Sequence, residues 1–215
     1  MHLCARYESI KDPERLQQNF GVNAPDDLVT TDVWPSYKSI FIRRPKESDQ
    51  SEEADPNREA MLGSFGLIPH WAKDANIARH TYNARTETVA EKPSYLDAWR
   101  LGRHCIIPVE AFYEPDWRSG KAVATRISRA DGQPMGLAGI WTGWKSPSGE
   151  ILRSFSMLTI NADQHPFMNL FHKPTDEKRM VVILEPQQFD HWLAAPAHRS
   201  KEFLLAYPAE GLVTG

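Results

Sequence analysis

A chain that carries out nucleophilic chemistry needs a nucleophile, a proton carrier and a group that positions the substrate, and these can come from distant segments. Four segments here supply such residues. Cys4-Ala5-Arg6-Tyr7 sets a thiol two residues from a guanidinium, which can lower a thiol pKa and bind phosphate. Tyr82-Asn83-Ala84-Arg85-Thr86-Glu87-Thr88 offers an amide with both donors and acceptors, and a phosphate fork at Arg85. The Gly66-Leu67-Ile68-Pro69-His70-Trp71 stretch before it ends in an indole on which a base can stack. Pro108 to Pro115 sets Glu114 among aromatic residues, surroundings that raise a carboxyl pKa and suit acid or base work. Leu170-Phe171-His172-Lys173-Pro174 supplies an imidazole that can exchange protons near neutral pH. Taken singly, each has a rival or an ordinary structural explanation. Cys4 and Cys105 both read as small buried hydrophobes, Asn83 and Thr86 as capping residues, while Glu110 competes with Glu114 and His165 with His172.

The elements that must hold these residues follow from periodicity and punctuation. Asp12 as N-cap, Pro13 at the first helical position and Gly21 beyond the end bracket a helix. Cys4 to Tyr7 has room only for a short strand. Strands are predicted over Tyr37 to Arg44, Met61 to Pro69, His104 to Val109, Ala122 to Ser128, Met135 to Trp144, Ile151 to Ile160 and Arg179 to Leu184. Asp131-Gly132 and Pro147-Ser148-Gly149 separate three of them as turns. Helices are predicted from Pro93 to Leu101, Pro186 to Leu193 and Lys201 to Tyr207, and residues 46–59 read as an acidic surface loop. Antiparallel strands with helices inserted between groups define an α+β domain: a curved, mainly antiparallel sheet or open barrel with peripheral helices, spanning 1–215 as one unit.

A hydrophobic fraction of 41% with seven Trp, six Tyr and nine Phe is enough for one packed core. A net charge of -3 and a pI near 6.2 argue against sequence-indifferent clinging to nucleic acid, so any DNA site must be a local groove. Two cysteines make neither a disulfide framework nor a four-thiolate zinc site, and no His pair has the spacing of a helical metal motif; no metal or cofactor is expected. There is no glycine-rich phosphate loop, no apolar run long enough to span a bilayer and no secretory signal pattern, which points to a cytoplasmic protein.

Read together, the segments resemble the SRAP (SOS response-associated peptidase) domain of the abasic-site shielding proteins. Cys4 to Tyr7 resembles that family's opening Cys-Gly-Arg-Phe/Tyr, Gly66 to Lys73 its Gly-Leu-Ile-Pro-x-Trp stretch, and Tyr82 to Thr88 its Asn-Ala-Arg-x-Glu-Thr motif. Cys105 to Glu114 resembles the segment ending in Phe-Tyr-Glu-Trp, Thr159 to Asp163 the Thr-x-x-Ala-(Asn/Asp) segment, and Phe171-His172 with Arg179-Met180 the closing His and Arg-Met-Pro. The resemblance implies a protein that crosslinks to abasic sites in single-stranded DNA, nucleoid-associated when bound, with no obligate protein partner. An opened abasic deoxyribose presents an aldehyde, the α-amine of an N-terminal Cys forms a Schiff base with it, and the thiol closes a thiazolidine. It assigns the thiol to Cys4, the hold on amine or sugar to Asn83, the amine's protons to Glu114 and protonation of the sugar oxygen to His172. Arg6, Trp71, Arg85 and Thr159 then resemble the family's contacts to the strand.

The sequence departs from that pattern at its start, where Met1-His2-Leu3 precede Cys4, and at Phe65 and Pro115, where the family commonly has Trp. Three explanations are open for the first: a different start codon, self-cleavage of the tripeptide, or loss of the crosslink in this copy. Two further functions therefore stand beside covalent capture and its reversal: a noncatalytic single-strand binder, and a cysteine-type self-processing peptidase that cuts between Leu3 and Cys4.

Overall fold

The computed structural model describes residues 4–26, 32–45 and 57–215. The first helix, α1 (Pro13–Phe20), has the predicted bounds because its ends are satisfied locally: the Asp12 carboxylate accepts the Glu14 N–H, and Gly21 closes it in the left-handed conformation at φ 69°. Strands β1 (Tyr7–Ser9), β2 (Asp32–Val33), β3 (Lys38–Arg43), β4 (Glu59–Phe65) and β5 (Asn83–Arg85) follow. After α2 (Leu96–Arg100) come β6 (His104–Asp116), β7 (Val123–Arg129), β8 (Met135–Lys145), β9 (Ile151–Asn161), β10 (Arg179–Val181), β11 (Ile183–Leu184), α3 (Phe189–Ala194) and β12 (Leu212–Thr214). Among the described residues no helix is long and apolar enough to cross a membrane.

Five of these strands close on themselves. β8 pairs with β9, β9 runs parallel to β4, β4 pairs with β3, β3 meets β6 at Ile42–Ile106, and β6 returns to β8. The expected curved sheet is thus a small mixed barrel, with α1, α2 and α3 outside it. Period-2 alternation sorts the barrel side chains into two cores. Phe41, Phe65, Cys105, Ile107, Leu137, Phe155 and Met157 belong to one. Ile40, Ile42, Ile106, Ala138, Ile140 and Leu158 belong to the other, together with Leu16, Phe20, Trp99 and Trp192 from the helices. Closure leaves no flat open edge along the barrel, and burial on both faces explains why the strands are so uniformly apolar.

Several boundaries differ from expectation. The helix placed at Pro93 starts at Leu96, after a turn in which Tyr95 and Leu96 donate to the Lys92 carbonyl. The strand expected from Met61 begins at Glu59, whose carboxylate is 2.6 Å from Arg43, and ends at Phe65. At Gly66 the chain turns off with φ +116°, and a Cβ there would lie 1.9 Å from the Ala78 carbonyl oxygen, so only glycine fits. The rest of the predicted acidic loop, 46–56, lies outside the described residues. Arg179 to Leu184 divides into two strands, because β10 pairs with β9 and β11 with β8. Of the helix expected over Lys201 to Tyr207 only the first three residues are helical, as the end of a 3-10 helix over Ala197–Phe203.

That segment is pinned by a buried imidazole. His104 Nε2 is 2.8 Å from Ser200 Oγ, and its ring packs 4.0 Å from that of Trp192, whose indole N–H donates to the Cys105 carbonyl. Burial pushes the His104 pKa down to about 4, against 6.5 for an exposed imidazole, although a main-chain hydrogen bond at Trp192 opposes the shift. The unfolded chain therefore binds the extra proton between those values, so the stability held above pH 6.5 is lost as the pH falls toward 4. We predict that wild type loses about 3 kcal/mol more over this interval than His104→Phe. Paired thermal melts at pH 7 and pH 4.5 read the difference, and parallel behaviour would refute the assignment.

Candidate active site

Glu114 owes its position to a β-bulge. β1 pairs with β6 as Tyr7–Phe112 and Glu8–Ala111, then steps to Ser9–Val109, leaving Glu110 as the extra residue. Before the bulge the odd-numbered side chains Cys105, Ile107 and Val109 face the inner core; after it the even-numbered Phe112 does, and Glu114 follows with 2% exposure. Glu110 is instead half-buried in a bidentate pair with Arg15.

His172 reaches Glu114 through a strained turn. It is a non-glycine residue at φ 64°, 4% exposed, with its N–H on the Pro115 carbonyl (2.8 Å), while Lys178 Nζ donates to the His172 and Lys173 carbonyls. Its Nε2 lies 3.1 Å from the Arg179 carbonyl and 3.5 Å from Glu114 Oε2. A carbonyl only accepts, so Nε2 carries the proton of the neutral ring. The rival His165 has both nitrogens engaged: Nδ1 accepts from the Phe167 and Met168 amides and Nε2 donates to the Tyr207 carbonyl at 2.7 Å.

Cys4 closes the site at 1% exposure, just before β1. Asn83, at the start of β5, donates its amide to the Cys4 carbonyl at 3.3 Å, and Tyr95 Oη donates to the Asn83 carbonyl at 2.9 Å. β5 itself is held by parallel pairing of Asn83 with Met157 of β9, so this asparagine is a strand residue and not a loop cap. The other cysteine, Cys105, is buried in the inner core on β6.

Burial dominates the electrostatics. It raises the Cys4 thiol well above its ordinary range, Glu114 adds to the rise, and main-chain hydrogen bonds at Tyr113 and Arg6 oppose it. The expectation that Arg6 lowers this pKa is corrected: its guanidinium turns away to Asp32 (2.6 Å) and lies 4.0 Å over the Tyr113 ring. Burial also raises the Glu114 carboxyl well above the usual range, with only the Cys4 main-chain amide pulling it down, and Glu114 Oε2 has no hydrogen-bond partner. His172 is lowered by burial, partly offset by its bond to the Arg179 carbonyl. Burial thus favours the uncharged form of the Glu114 carboxyl, the His172 imidazole and the Cys4 thiol alike, groups able to pass protons once a substrate changes the local polarity. Among the described residues no group of three or more His, Cys, Asp and Glu side chains is arranged to hold a metal ion.

A groove of about 560 Å³ opens on Glu114 and His172, lined also by Ala5, Arg6, Trp34, Tyr113 and Trp117, while Cys4 and Asn83 lie behind its lining. Trp34 and Trp117 were not anticipated from the sequence; an indole two residues past Pro115 was the available signal. Trp71 is half-exposed with its N–H on the Pro93 carbonyl, and neither it nor Arg85 lines this groove. Arg85 pairs with Glu177 at 2.7 Å. Thr159, expected to touch DNA, is buried, and its carbonyl and hydroxyl oxygens accept from Arg179 Nη2, so it faces the arginine and not the surface.

A closed mixed barrel with a thiol, a carboxyl and an imidazole gathered beside one groove is accompanied by a family match over almost the whole chain. The model of the SOS response associated peptidase (SRAP) family covers residues 3–214, and the chain belongs to that family. It is 34% identical over 194 residues to the abasic site processing protein YoqW of Bacillus subtilis (strain 168), covering 89% of this chain and 80% of that protein. It is 27% identical over 190 residues to the abasic site processing protein HMCES of Xenopus tropicalis, covering 78% and 53% respectively. A crystal structure of a protein from Bordetella bronchiseptica, 43% identical, matches the fold with a TM-score of 0.88 over 99% of this chain and 98% of that one.

Proposed function

We propose that this protein binds abasic sites in single-stranded DNA and captures them covalently through Cys4. The observation that carries the reading is the 3.5 Å approach of His172 Nε2 to Glu114 Oε2 beside buried Cys4, at the floor of an aromatic groove. The names of the relatives give the substrate class. In the proposed sequence His172 gives a proton to the sugar ring oxygen while the C1′ hydroxyl loses its own to solvent, opening the deoxyribose to its aldehyde. The Cys4 α-amine adds to the aldehyde carbon and the carbinolamine loses water to give an imine, with Glu114 relaying the protons. The S–H bond of Cys4 then adds across the C=N bond, sulfur to carbon and proton to nitrogen, closing a thiazolidine. Asn83 steadies Cys4 through its carbonyl.

The amine step requires a free Cys4 α-amine, supplied by a start directly before Cys4 or by hydrolysis of the Leu3–Cys4 bond, which the same nucleophile, acid and base are suited to assist. While that bond is intact the Cys4 nitrogen is an amide, and the groove serves as a noncovalent binder. Intact mass measurement of the protein, alone and after incubation with a single-stranded oligonucleotide carrying one abasic site, tests the reading. Loss of Met1 to Leu3 with a stable adduct is expected; an unprocessed chain without adduct would overturn covalent capture. Arg6 and Arg85 hold phosphates and Trp71 stacks a base. Arg85→Ala should therefore weaken binding and reduce the salt slope by at most about 0.7, the single-strand value for one unpaired phosphate contact. Anisotropy titrations at several salt concentrations measure both, and unchanged affinity together with an unchanged slope removes Arg85 from the interface.

A further inference from the structure

The two arginines assigned above to DNA phosphates are each already held by a carboxylate. Glu177 Oε2 lies 2.7 Å from Arg85 Nη1, while its Oε1 lies 2.8 Å from Arg179 Nη1 and accepts from Asn161 Nδ2 at 3.2 Å. Asp32 Oδ1 accepts from Arg6 Nε at 2.6 Å on the groove wall. A carboxylate spread over two cations satisfies the same donors that a phosphodiester would. Neither acid is built in: Glu177 is 32% and Asp32 50% exposed, and ion pairs at such exposure are weak and readily exchanged for water. Arg179 does not depend on Glu177, because Glu87 takes both its terminal nitrogens at 2.8 and 2.9 Å.

We infer that Glu177 and Asp32 are intramolecular stand-ins for DNA phosphates, each occupying an arginine until a phosphodiester displaces it. The inference rests on the proposed DNA reading and specifies how that site is regulated. Counterion release drives phosphate binding, but an expelled carboxylate takes up a cation of its own, so each exchanged contact gives less net release than a bare arginine would. Grip on undamaged strands is thereby weak, and retention at a lesion is left to the covalent step. The chain's net charge of -3 fits a groove that is not strongly basic.

The test compares wild type, Glu177→Gln, Asp32→Asn and the double variant for binding to an undamaged single-stranded oligonucleotide across a salt series, and for adduct formation on the abasic version. Each single substitution should tighten undamaged-strand binding roughly twofold to fivefold and steepen the log–log salt slope by up to about 0.7, with the effects adding in the double variant. Thermal melts verify folding. Should Glu177→Gln melt early, Asp32→Asn, on the short β2 strand and away from Arg179, carries the test. Wild-type affinity and slope in folded variants would overturn the inference, even if adducts form normally. Gained affinity without any adduct would uphold it and overturn covalent capture instead. No binding by any of the four proteins would overturn both.

Discussion

Cys4→Ala is expected to bring covalent capture of an abasic oligonucleotide to background while noncovalent affinity stays within about twofold of wild type. In the proposed reaction the thiol converts a reversible imine into a closed ring; alanine removes it and leaves the main-chain nitrogen in place, so at most the reversible step should remain. Cys4→Ala lacks the nucleophile that assists removal of Met1 to Leu3, so the imine is sought in a variant produced without that tripeptide; there it is expected to survive denaturation only when reduced with borohydride, whereas the wild-type adduct should need no reductant. Because the Cys4 side chain is buried in the inner core, the substitution also removes packing, at a cost of about 1 kcal/mol in stability. That loss is too small to account for a complete loss of capture. Equal adduct yields on denaturing gels would sink the thiol assignment, and loss of both adduct and binding would point to a folding defect, which melting curves report.

Glu114→Gln is expected to act in opposite directions on chemistry and on stability. Removing the proposed acid and base should slow capture by about 10²- to 10⁴-fold. The same change should stabilise the fold, because the wild-type carboxyl is buried and Oε2 has no hydrogen-bond partner. Its folded pKa is raised, so the stability it contributes is complete below the unfolded value of 4.5 and is lost as the pH rises through the folded one. Glutamine cannot ionise and loses nothing over that interval. The melting temperatures of variant and wild type should therefore converge near pH 4.5 and separate with rising pH. A gain of about 1 kcal/mol appears as about 2–4 °C in a chain of this size. A variant less stable than wild type at pH 8 would contradict the burial argument, and undiminished capture would remove Glu114 from the proton chain.

What could be read directly from the sequence is whatever short-range interactions fix. Helix α1 has its predicted bounds because Asp12, Pro13 and Gly21 satisfy its ends within a few residues of one another. The strands of the second half were legible because alternation and turn residues act locally, and β8 and β9 lie within a residue of their predicted bounds. The motif order carried the family. What it could not state was direction and company. Three-residue β5 exists because it lies along β9, more than seventy residues away, and nothing within Tyr82 to Thr88 encodes that partner. Closure of the barrel by β3, β6 and β8 is likewise a property of pairing between distant strands.

The choice among like residues was decided the same way. Glu110 and Glu114 have the same parity, and uninterrupted alternation would have sent both to the same face; the extra residue opposite Glu8 and Ser9 separates them. His165 and His172 differ in that one imidazole is consumed by two local amides and the distant Tyr207 carbonyl, while a left-handed turn carries the other to Glu114. Thr159 shows the converse: a residue placed on the DNA by its motif is turned inward by a buried arginine arriving from β10. The sequence by itself determined which chemical groups are present and which short elements carry them, since caps, turns and alternation are local. Only the tertiary structure decided which of those groups face one another, because a side chain's direction along a strand reverses with every residue and is fixed by bulges and partners far away in the chain.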